Sequence, residues 1–245
     1  GCIVDNTTTP TTNTCDLYAM AGTTSMLGGA PIDIWGFSTT GSAGTATAPG
    51  PLLVVNQGDI VTVRLHNQLA GQDVSLAFPR QPTTAFSAGL SAQAEETVVA
   101  TGLTSTYTFT ADRAGTFIYE AGHTANGTRQ VAMGLAGALV VRPADGTAYG
   151  VVAGYPSTAY DDDAVVVLSE IDPALNAAPA TFDMRKFAPA YRLINRKPFP
   201  STDPISTDQN HTVLLRYANV GSQSHPMRLL RPAHTQVTQA RTARA

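Results

Sequence analysis

Residues 55–67 read VNQGDIVTVRLHN, and residues 207–219 read TDQNHTVLLRYAN. In each stretch a turn sequence precedes a strand with alternating apolar and polar side chains, and an asparagine ends the strand. The two stretches share an arginine within the strand and the final asparagine: Arg64 aligns with Arg216, and Asn67 aligns with Asn219. Because turn, strand and stop recur in the same order, the sequence predicts a β module that occurs twice.

The composition agrees with a β-rich protein that has a large core. The 245 residues include 21 Gly and 16 Pro, which supply many turns, and 43% of the residues are hydrophobic. That is enough for one large β domain or two ordinary ones. Only 13% are charged and the formal net charge is −3, whereas nucleic-acid binding needs a cationic surface, so we expect no nucleic-acid partner. No apolar run reaches the roughly 18 residues that span a bilayer, so we expect no transmembrane segment.

Further stretches of alternating or continuous apolar residues predict strands. They lie at residues 17–20, 52–55, 107–110, 115–119, 137–141 and 164–168. No stretch has the 3.6-residue apolar period of a helix, so we expect little helix. The predicted organisation is an N-terminal segment at 1–47 that leads into the first domain, the first domain at 48–145, a linker at 146–163 and a second domain at 164–245. Three adjacent aspartates, at 161–163, predict a solvated loop in the linker, with a calcium site as the alternative.

The two cysteines, Cys2 and Cys15, lie on either side of a Thr/Asn/Pro segment that has too little apolar surface to fold by itself. A disulfide between them would stabilise this terminus by about 2–3 kcal/mol. Such a bond implies an oxidising compartment outside the cytoplasm, secreted, periplasmic or at the cell surface. Two unrelated free thiols are the alternative. The start of the chain at Gly1 is typical of a processed chain from which a signal peptide has been removed.

Several motifs resemble those of the multicopper oxidase family, and they occur in that family's order. They are GTFIY at 115–119, HTA at 123–125, QVAMGLAGALVV at 130–141, VVVLSEID at 165–172, INRKPFP at 194–200 and SHPM at 224–227. The resemblance covers most of residues 48–240. It implies an all-β fold of tandem cupredoxin-like Greek-key β-barrels or sandwiches. The second unit is expected to be incomplete, because far fewer residues follow its last motif than follow the equivalent part of the first.

The resemblance also implies copper, but this sequence departs from the family at the copper ligands. Multicopper oxidases hold a trinuclear cluster with His-x-His pairs, and an electron-entry copper with a Cys thiolate and two His. At the first pair this chain has Ala77 and Pro79, and at the second it has EAGH at residues 120–123. At the third it has Arg228 and Leu230, and an arginine cannot bind a metal. Both cysteines lie at the wrong end of the chain for the thiolate.

Four residues are left as candidates for a site. His225 matches a family ligand, Met227 lies two residues after it, and His123 is one residue out of place. Together they predict at most a remnant metal site. Glu120 is a possible partner of His123, either in an acid–base pair or in a weak metal site. No residue is predicted to be catalytic.

Three functions fit these observations. The first is a non-catalytic binding or structural module outside the cytoplasm, which binds no copper, and we expect this one. The second is a laccase-like, copper-dependent oxidoreductase that is completed by a C-terminal part or by other subunits. The third is a mononuclear copper carrier that uses the remnant site. In each case the incomplete second domain predicts a homo-oligomer or an assembly partner that completes it, with a longer natural chain as the alternative.

Overall fold

The computed structural model describes residues 2–26, 28–81, 85–86, 99–122, 124–151 and 157–227. Within them the strands are β1 (Ile3–Asp5), β2 (Thr12–Ser25), β3 (Pro31–Ser38), β4 (Leu53–Asn56), β5 (Ile60–Asn67), β6 (Leu76–Ala77), β7 (Ala85–Phe86), β8 (Thr104–Thr110), β9 (Gly115–Ala121), β10 (Ala136–Arg142), β11 (Asp162–Ile171), β12 (Tyr191–Ile194), β13 (Lys197–Pro198) and β14 (Val213–Asn219). The helices are α1 (Gly127–Met133), α2 (Pro173–Ala177) and a 3₁₀ turn at Met184–Lys186. The predicted strand-rich structure with little helix is confirmed.

Two sheets pack face to face in the first half of the chain. The first sheet has the order β1-β2-β5-β8-β7, with β3 also paired to β2, and the second has the order β4-β10-β9-β6. Two pairs are parallel, β2 with β5 and β4 with β10. One cluster of buried apolar side chains joins the inner faces of both sheets. This half is therefore a β-sandwich whose core lies between the two sheets.

The alternation that was predicted for β5 decides which of its faces is buried. Val61, Val63 and Leu65 are all 0% exposed, whereas Arg64 points to the outer face. Burying three such side chains completely contributes roughly 1.5–3 kcal/mol each. The pattern of β5 is confirmed, and it fixes the register of the strand because a shift by one residue would expose all three.

The predicted disulfide between Cys2 and Cys15 is confirmed. Cys15 lies in β2 and is 1% exposed, so the bond joins the beginning of the chain directly to the core. β1 pairs antiparallel with the first residues of β2, next to this bond.

A third sheet, with the order β13-β12-β11-β14, makes up most of the second half. Its inner face packs on the sandwich through a small apolar cluster that includes Ala138, Val167 and Ala218. β12 and β13 form a hairpin whose two turn residues, Asn195 and Arg196, have φ of 48° and 74°. Two successive residues with positive φ are typical of the type I′ turn, which matches the twist of a hairpin.

The third sheet repeats part of the first in the same register. β5 runs parallel to β2 with Arg64 opposite Asp16, and β14 runs parallel to β11 with Arg216 opposite Val165. Each inner strand then pairs antiparallel with the next strand along the chain, β2 with β3 and β11 with β12. The duplication that was predicted from residues 55–67 and 207–219 is therefore a duplication of strand pairing.

Polar contacts at both ends of the repeated strand are duplicated too. Before the strand, the side chain of Asn13 donates to Asp59 Oδ2 (2.7 Å), and in the repeat His211 Nδ1 lies 2.8 Å from Asp162 Oδ2. After the strand, the side-chain oxygen of each aligned asparagine accepts a hydrogen bond from the backbone N–H two residues later, as the pairs Asn67–Leu69 and Asn219–Gly221 show. The asparagine that ends each strand therefore shapes the turn that follows it.

The aspartates at 161–163 are only in part the solvated loop that was predicted, because Asp161 alone lies before the strand and is exposed. Asp162 and Asp163 are the first residues of β11, so this strand begins two residues earlier than expected. Asp163 accepts hydrogen bonds from Arg142 (3.0 Å) and from Arg216 (2.9 Å), which is 3% exposed. The prediction failed because these cations are remote in sequence. Among the described residues, no helix is long and apolar enough to cross a membrane.

Candidate functional site

The two strand ends that carry copper ligands in the resembling family lie side by side here. β6 pairs with the end of β9, and in this ladder Ala77 lies opposite Glu120. Ala77 is 3% exposed and offers a methyl group, so the only side-chain donor of the pair is one carboxylate. Copper in this family needs several imidazoles at this place. Ala77 and Glu120 therefore supply no imidazole to such a cluster.

Aromatic packing fills the space behind this edge. Phe78, which follows Ala77, is 1% exposed, and its ring lies 4.9 Å from Phe109 and 6.3 Å from Tyr119. The hydroxyl of Tyr119 donates to Pro51 O at 2.6 Å, and burial raises the pKa of Tyr119 far above its ordinary value. These side chains make the end of β6 an apolar part of the core.

Of the candidate ligands that were predicted from the sequence, His225 and Met227 lie among the described residues. His225 is described, and its Nε2 is buried with no hydrogen-bond partner and lies 3.8 Å from Glu170 Oε1. Met227 is 47% exposed. His123 lies outside the described residues, so its predicted pairing with Glu120 stays a prediction. Within residues 2–26, 28–81, 99–122, 124–151 and 157–227, no three His, Cys, Asp or Glu side chains are grouped as a metal site would require.

Glu170, at the end of β11, is a residue to which the sequence analysis assigned no role. It is 8% exposed, and its carboxylate accepts hydrogen bonds from Ser222 N (3.2 Å), Ser222 Oγ (2.9 Å) and Gln223 N (2.8 Å). These bonds tie the loop after β14 to β11. The signal in the sequence was a single carboxylate within an otherwise apolar strand, which is a costly residue to bury without a purpose.

A cavity of about 580 Å³ lies between the sandwich and the third sheet. Its walls come from the end of β9, from α1, from the end of β11 and from the loop after β14. Glu120 and Glu170 both line it, one from each half of the chain, and Ser169 lies next to Glu170 in the wall. Met133 is 1% exposed and also contributes to the wall.

His66, on the outer face of the sandwich, has partners on both ring nitrogens. Nε2 lies 2.7 Å from Asp16 Oδ1, and Nδ1 lies 2.9 Å from Thr104 Oγ1. The Tyr18 ring stacks on it at 4.3 Å. Both ring nitrogens of His66 therefore have partners within the protein.

Comparisons with known proteins agree with this geometry. Residues 38–146 match the family model described as multicopper oxidase. Over 100 residues the chain is 37% identical to L-ascorbate oxidase from Cucumis sativus. Among solved structures it is similar to the blue copper oxidase from Nitrosomonas europaea (TM-score 0.66, 22% identity, 85% of this chain covered) and to the copper nitrite reductase from the same organism (TM-score 0.65, 22% identity, 87% covered). The predicted resemblance and the predicted cupredoxin-like fold are confirmed.

The matches cover only parts of these relatives. The alignment with the ascorbate oxidase covers 40% of this chain and 16% of that protein. The structural alignments cover 61% of the blue copper oxidase and 69% of the nitrite reductase. At 22% identity the two solved structures show the fold alone.

Proposed function

We propose that this chain, which carries a domain of the multicopper oxidase family, has lost that family's copper ligands and works outside the cytoplasm as a binding or structural module. The observation that carries the proposal is the pairing of β6 with β9. The fold brings both ligand-bearing strand ends together, and Ala77 lies opposite Glu120 there. A methyl group and one carboxylate cannot replace the imidazoles that such a cluster needs.

The remaining candidate ligands support the same proposal. His225 lies near Glu170, but a single imidazole with a carboxylate at 3.8 Å is a weak site for copper. The residue that follows Met227 is Arg228, whose charge repels a metal cation. The confirmed disulfide between Cys2 and Cys15 supports a location outside the cytoplasm, because such bonds persist in oxidising compartments.

Copper per chain tests the proposal. The protein is incubated with excess Cu(II), desalted and measured by elemental analysis, together with a His225→Ala variant and the visible spectrum. We expect far less than one copper per chain and no difference between the two proteins. One copper that is lost in His225→Ala would instead support the copper carrier, and three or more would support an oxidase.

A copper-dependent oxidoreductase is the second candidate, and the match of residues 38–146 to the family model favours it. It requires that imidazoles from outside this chain complete the cluster, because identical copies would bring Ala77 and Glu120 again to the same place. Oxygen consumption with ascorbate or a phenol as reductant, at saturating copper, tests it. We expect no consumption above that of free copper.

The predicted assembly partner is a further proposal, supported by the repeat. The residues of β14 that align with Val61, Val63 and Leu65 are Val213, Leu215 and Tyr217. The three residues of β5 are 0% exposed. Tyr217 of β14, by contrast, is 39% exposed. Light scattering after size exclusion tests the proposal: we expect a mass of at least twice 25.6 kDa, and a mass of 25.6 kDa would contradict a homo-oligomer.

A further inference from the structure

We infer that Thr104 is a nucleophile that takes acyl groups from activated esters, with His66 as its general base. This activity goes beyond the proposed binding or structural role and rests on a different part of the molecule. Its residues lie on the outer face of the first sheet, where Tyr18 of β2 lies opposite His66 of β5, and His66 lies opposite Thr104 of β8. Asp16 shares this face, because it lies two residues before Tyr18 in β2.

Hydrogen bonds connect a carboxylate, an imidazole and a hydroxyl in a chain. Nε2 of His66 lies 2.7 Å from Asp16 Oδ1, and Nδ1 of His66 lies 2.9 Å from Thr104 Oγ1. Nucleophilic catalysis uses this arrangement, in which a base lies within hydrogen-bond reach of the nucleophile and a third group orients the base. The three residues belong to three neighbouring strands, so the sheet itself fixes their spacing.

The carboxylate decides where the protons of this chain lie. Although burial opposes the shift, hydrogen bonds from Arg64 and His66 lower the pKa of Asp16, so its carboxyl group is ionised near neutral pH. An ionised carboxylate only accepts hydrogen bonds, and Nε2 of His66 therefore carries the N–H. In a neutral imidazole the other nitrogen is then an acceptor, so the Thr104 hydroxyl donates its proton to Nδ1. A nucleophilic hydroxyl needs this orientation towards its base.

Neighbouring side chains hold the base in place. The ring of Tyr18 stacks on His66 at 4.3 Å with 11° between the two planes, and Arg64 donates to Asp16 Oδ2 at 2.7 Å. The His66 side chain is 24% exposed, whereas Thr104 is exposed and open to a substrate. An open site gives a substrate little binding energy, so the class of substrate is an ester whose leaving group departs readily, such as an aryl ester.

The reaction needs water as its second reactant. Thr104 Oγ1 forms a bond to the carbonyl carbon, its proton passes to His66 Nδ1, and the bond between that carbon and the aryl oxygen breaks. The proton then passes to the departing oxygen, so a phenol leaves and an acyl ester remains on Thr104. Water, deprotonated by the same imidazole, hydrolyses this ester to a carboxylic acid and restores the hydroxyl.

The probe for this activity is p-nitrophenyl acetate. Absorbance measures the release of p-nitrophenol, and mass spectrometry of the digested protein locates the acetyl group. EDTA in the assay removes any contribution of bound metal. We expect an acetyl group on Thr104, and a protein without it would overturn the proposal.

Three variants separate the hydroxyl from the imidazole. Thr104→Val keeps the shape of the side chain without its hydroxyl, and His66→Gln removes the base. Thr106→Val is the matched control, because Thr106 lies on the same face two residues further along β8. We expect the first two to slow p-nitrophenol release at least tenfold, since a general base typically contributes about 10²–10⁴-fold, and the control to keep the parent rate.

Two results would refute the proposal. If Thr104→Val kept the parent rate and His66→Gln lost it, the imidazole itself would be the nucleophile. If all three variants kept the parent rate, the activity would come from elsewhere on the surface. Circular dichroism shows which variants fold, and if His66→Gln does not, Thr104→Val and the position of the acetyl group still decide.

Asp16 acts through His66 and is a positioning residue. Asp16→Asn presents an amide that can donate to Nε2, so we expect acetylation to slow about tenfold. Asp16→Glu keeps a carboxylate and should restore part of the rate. Equal loss in both variants would contradict the positioning role.

Copper content is measured on the same preparation before EDTA is added, so that this inference and the proposed function can fail separately. Acetylation of Thr104 without bound copper supports both. Neither copper nor acetylation refutes this inference and leaves the proposed function standing. Stoichiometric copper with acetylation of Thr104 refutes the loss of copper and leaves this inference standing.

Discussion

Gly221, in the loop after β14, lies directly against the buried side chain of Glu170. A Cβ atom at this position would lie 2.8 Å from Glu170 Cδ and 2.9 Å from its Cγ and Oε1, whereas ordinary contacts begin at 3.4 Å. In the variant Gly221→Ala the loop after β14 and the Glu170 side chain must therefore move apart by 0.5–0.6 Å, the difference between 3.4 Å and the distances of 2.9 and 2.8 Å. Gly221 does not have positive φ, so the substitution tests this contact and not backbone strain.

Glu170 cannot move aside cheaply, because its carboxylate accepts hydrogen bonds at 2.8 Å and 2.9 Å from Gln223 N and Ser222 Oγ. Overpacking of this kind costs about 1–3 kcal/mol, and losing one hydrogen bond to a charged group costs about 1.5–3 kcal/mol. We therefore expect Gly221→Ala to lower the free energy of unfolding by about 2 kcal/mol. Urea unfolding followed by far-UV circular dichroism measures it.

The control for this variant is Gly29→Ala. A Cβ at Gly29 would meet its nearest atom at 3.8 Å, and the φ of Gly29 is also not positive. That variant should be neutral or stabilise slightly, by up to about 1 kcal/mol, through the unfolded state. In a Glu170→Ala background the clash is gone, so adding Gly221→Ala should cost almost nothing more. If Gly221→Ala cost the same with and without the Glu170 side chain, the contact between the two would not be its cause.

Three further predictions concern the surface and the ends of the chain. The hydrogen bond to Asp162 raises the pKa of His211, so the stabilisation by this pair is complete below about pH 6.5 and is lost as the pH rises through the higher folded-state pKa. In His211→Asn the free energy of unfolding, measured with urea, should therefore depend less on pH between pH 5.5 and 8.5 than in the parent protein. Arg196→Gly should raise the free energy of unfolding by about 1 kcal/mol, because glycine adopts the φ of 74° without strain; a lower melting temperature would contradict this. Replacing Cys2 and Cys15 by serine should cost about 3 kcal/mol, because the bond closes a loop with a sequence separation of 13, and the same loss should follow reduction of the parent protein.

The alternation of apolar residues made much of the fold predictable. In β5, the side chains of Val61, Val63 and Leu65 must share a face in any strand, so their burial follows from the sequence. The aligned arginines and asparagines indicated the duplication, since equivalent turns and strands require equivalent residues at their ends. The pairing of β2 with β5 was not predictable, because parallel pairing of strands that are remote in the chain depends on the whole sandwich.

The functional residues were harder to predict for the same reason. The cavity forms where α1 and the ends of β9 and β11 meet, and nothing in a local pattern shows that meeting. Glu170 bonds to Ser222, 52 residues later in the chain, so its partner is invisible to any short motif. Asp163 failed as a loop prediction in the same way, because its two arginine partners come from β10 and β14. Sequence reasoning predicted that the copper ligands differ from the family, which stays a prediction, and it gave no sign of the buried polar groups around the cavity.

The two halves of the duplication show where this chain retains chemistry and where it does not. At the start of the repeated strand one half pairs Asn13 with Asp59 and the other pairs Asp162 with His211, so the residue types differ while the bond is kept. Such a bond stabilises a turn that both halves need. At the end of β6, by contrast, Ala77 provides no side-chain donor at all. Glu170 resembles the conserved turn bonds and not Ala77, because its carboxylate accepts three hydrogen bonds despite the cost of burying it. A carboxylate held in this way is a structural tie between β11 and the loop after β14, and the copper measurement tests separately whether this chain binds the metal of its relatives.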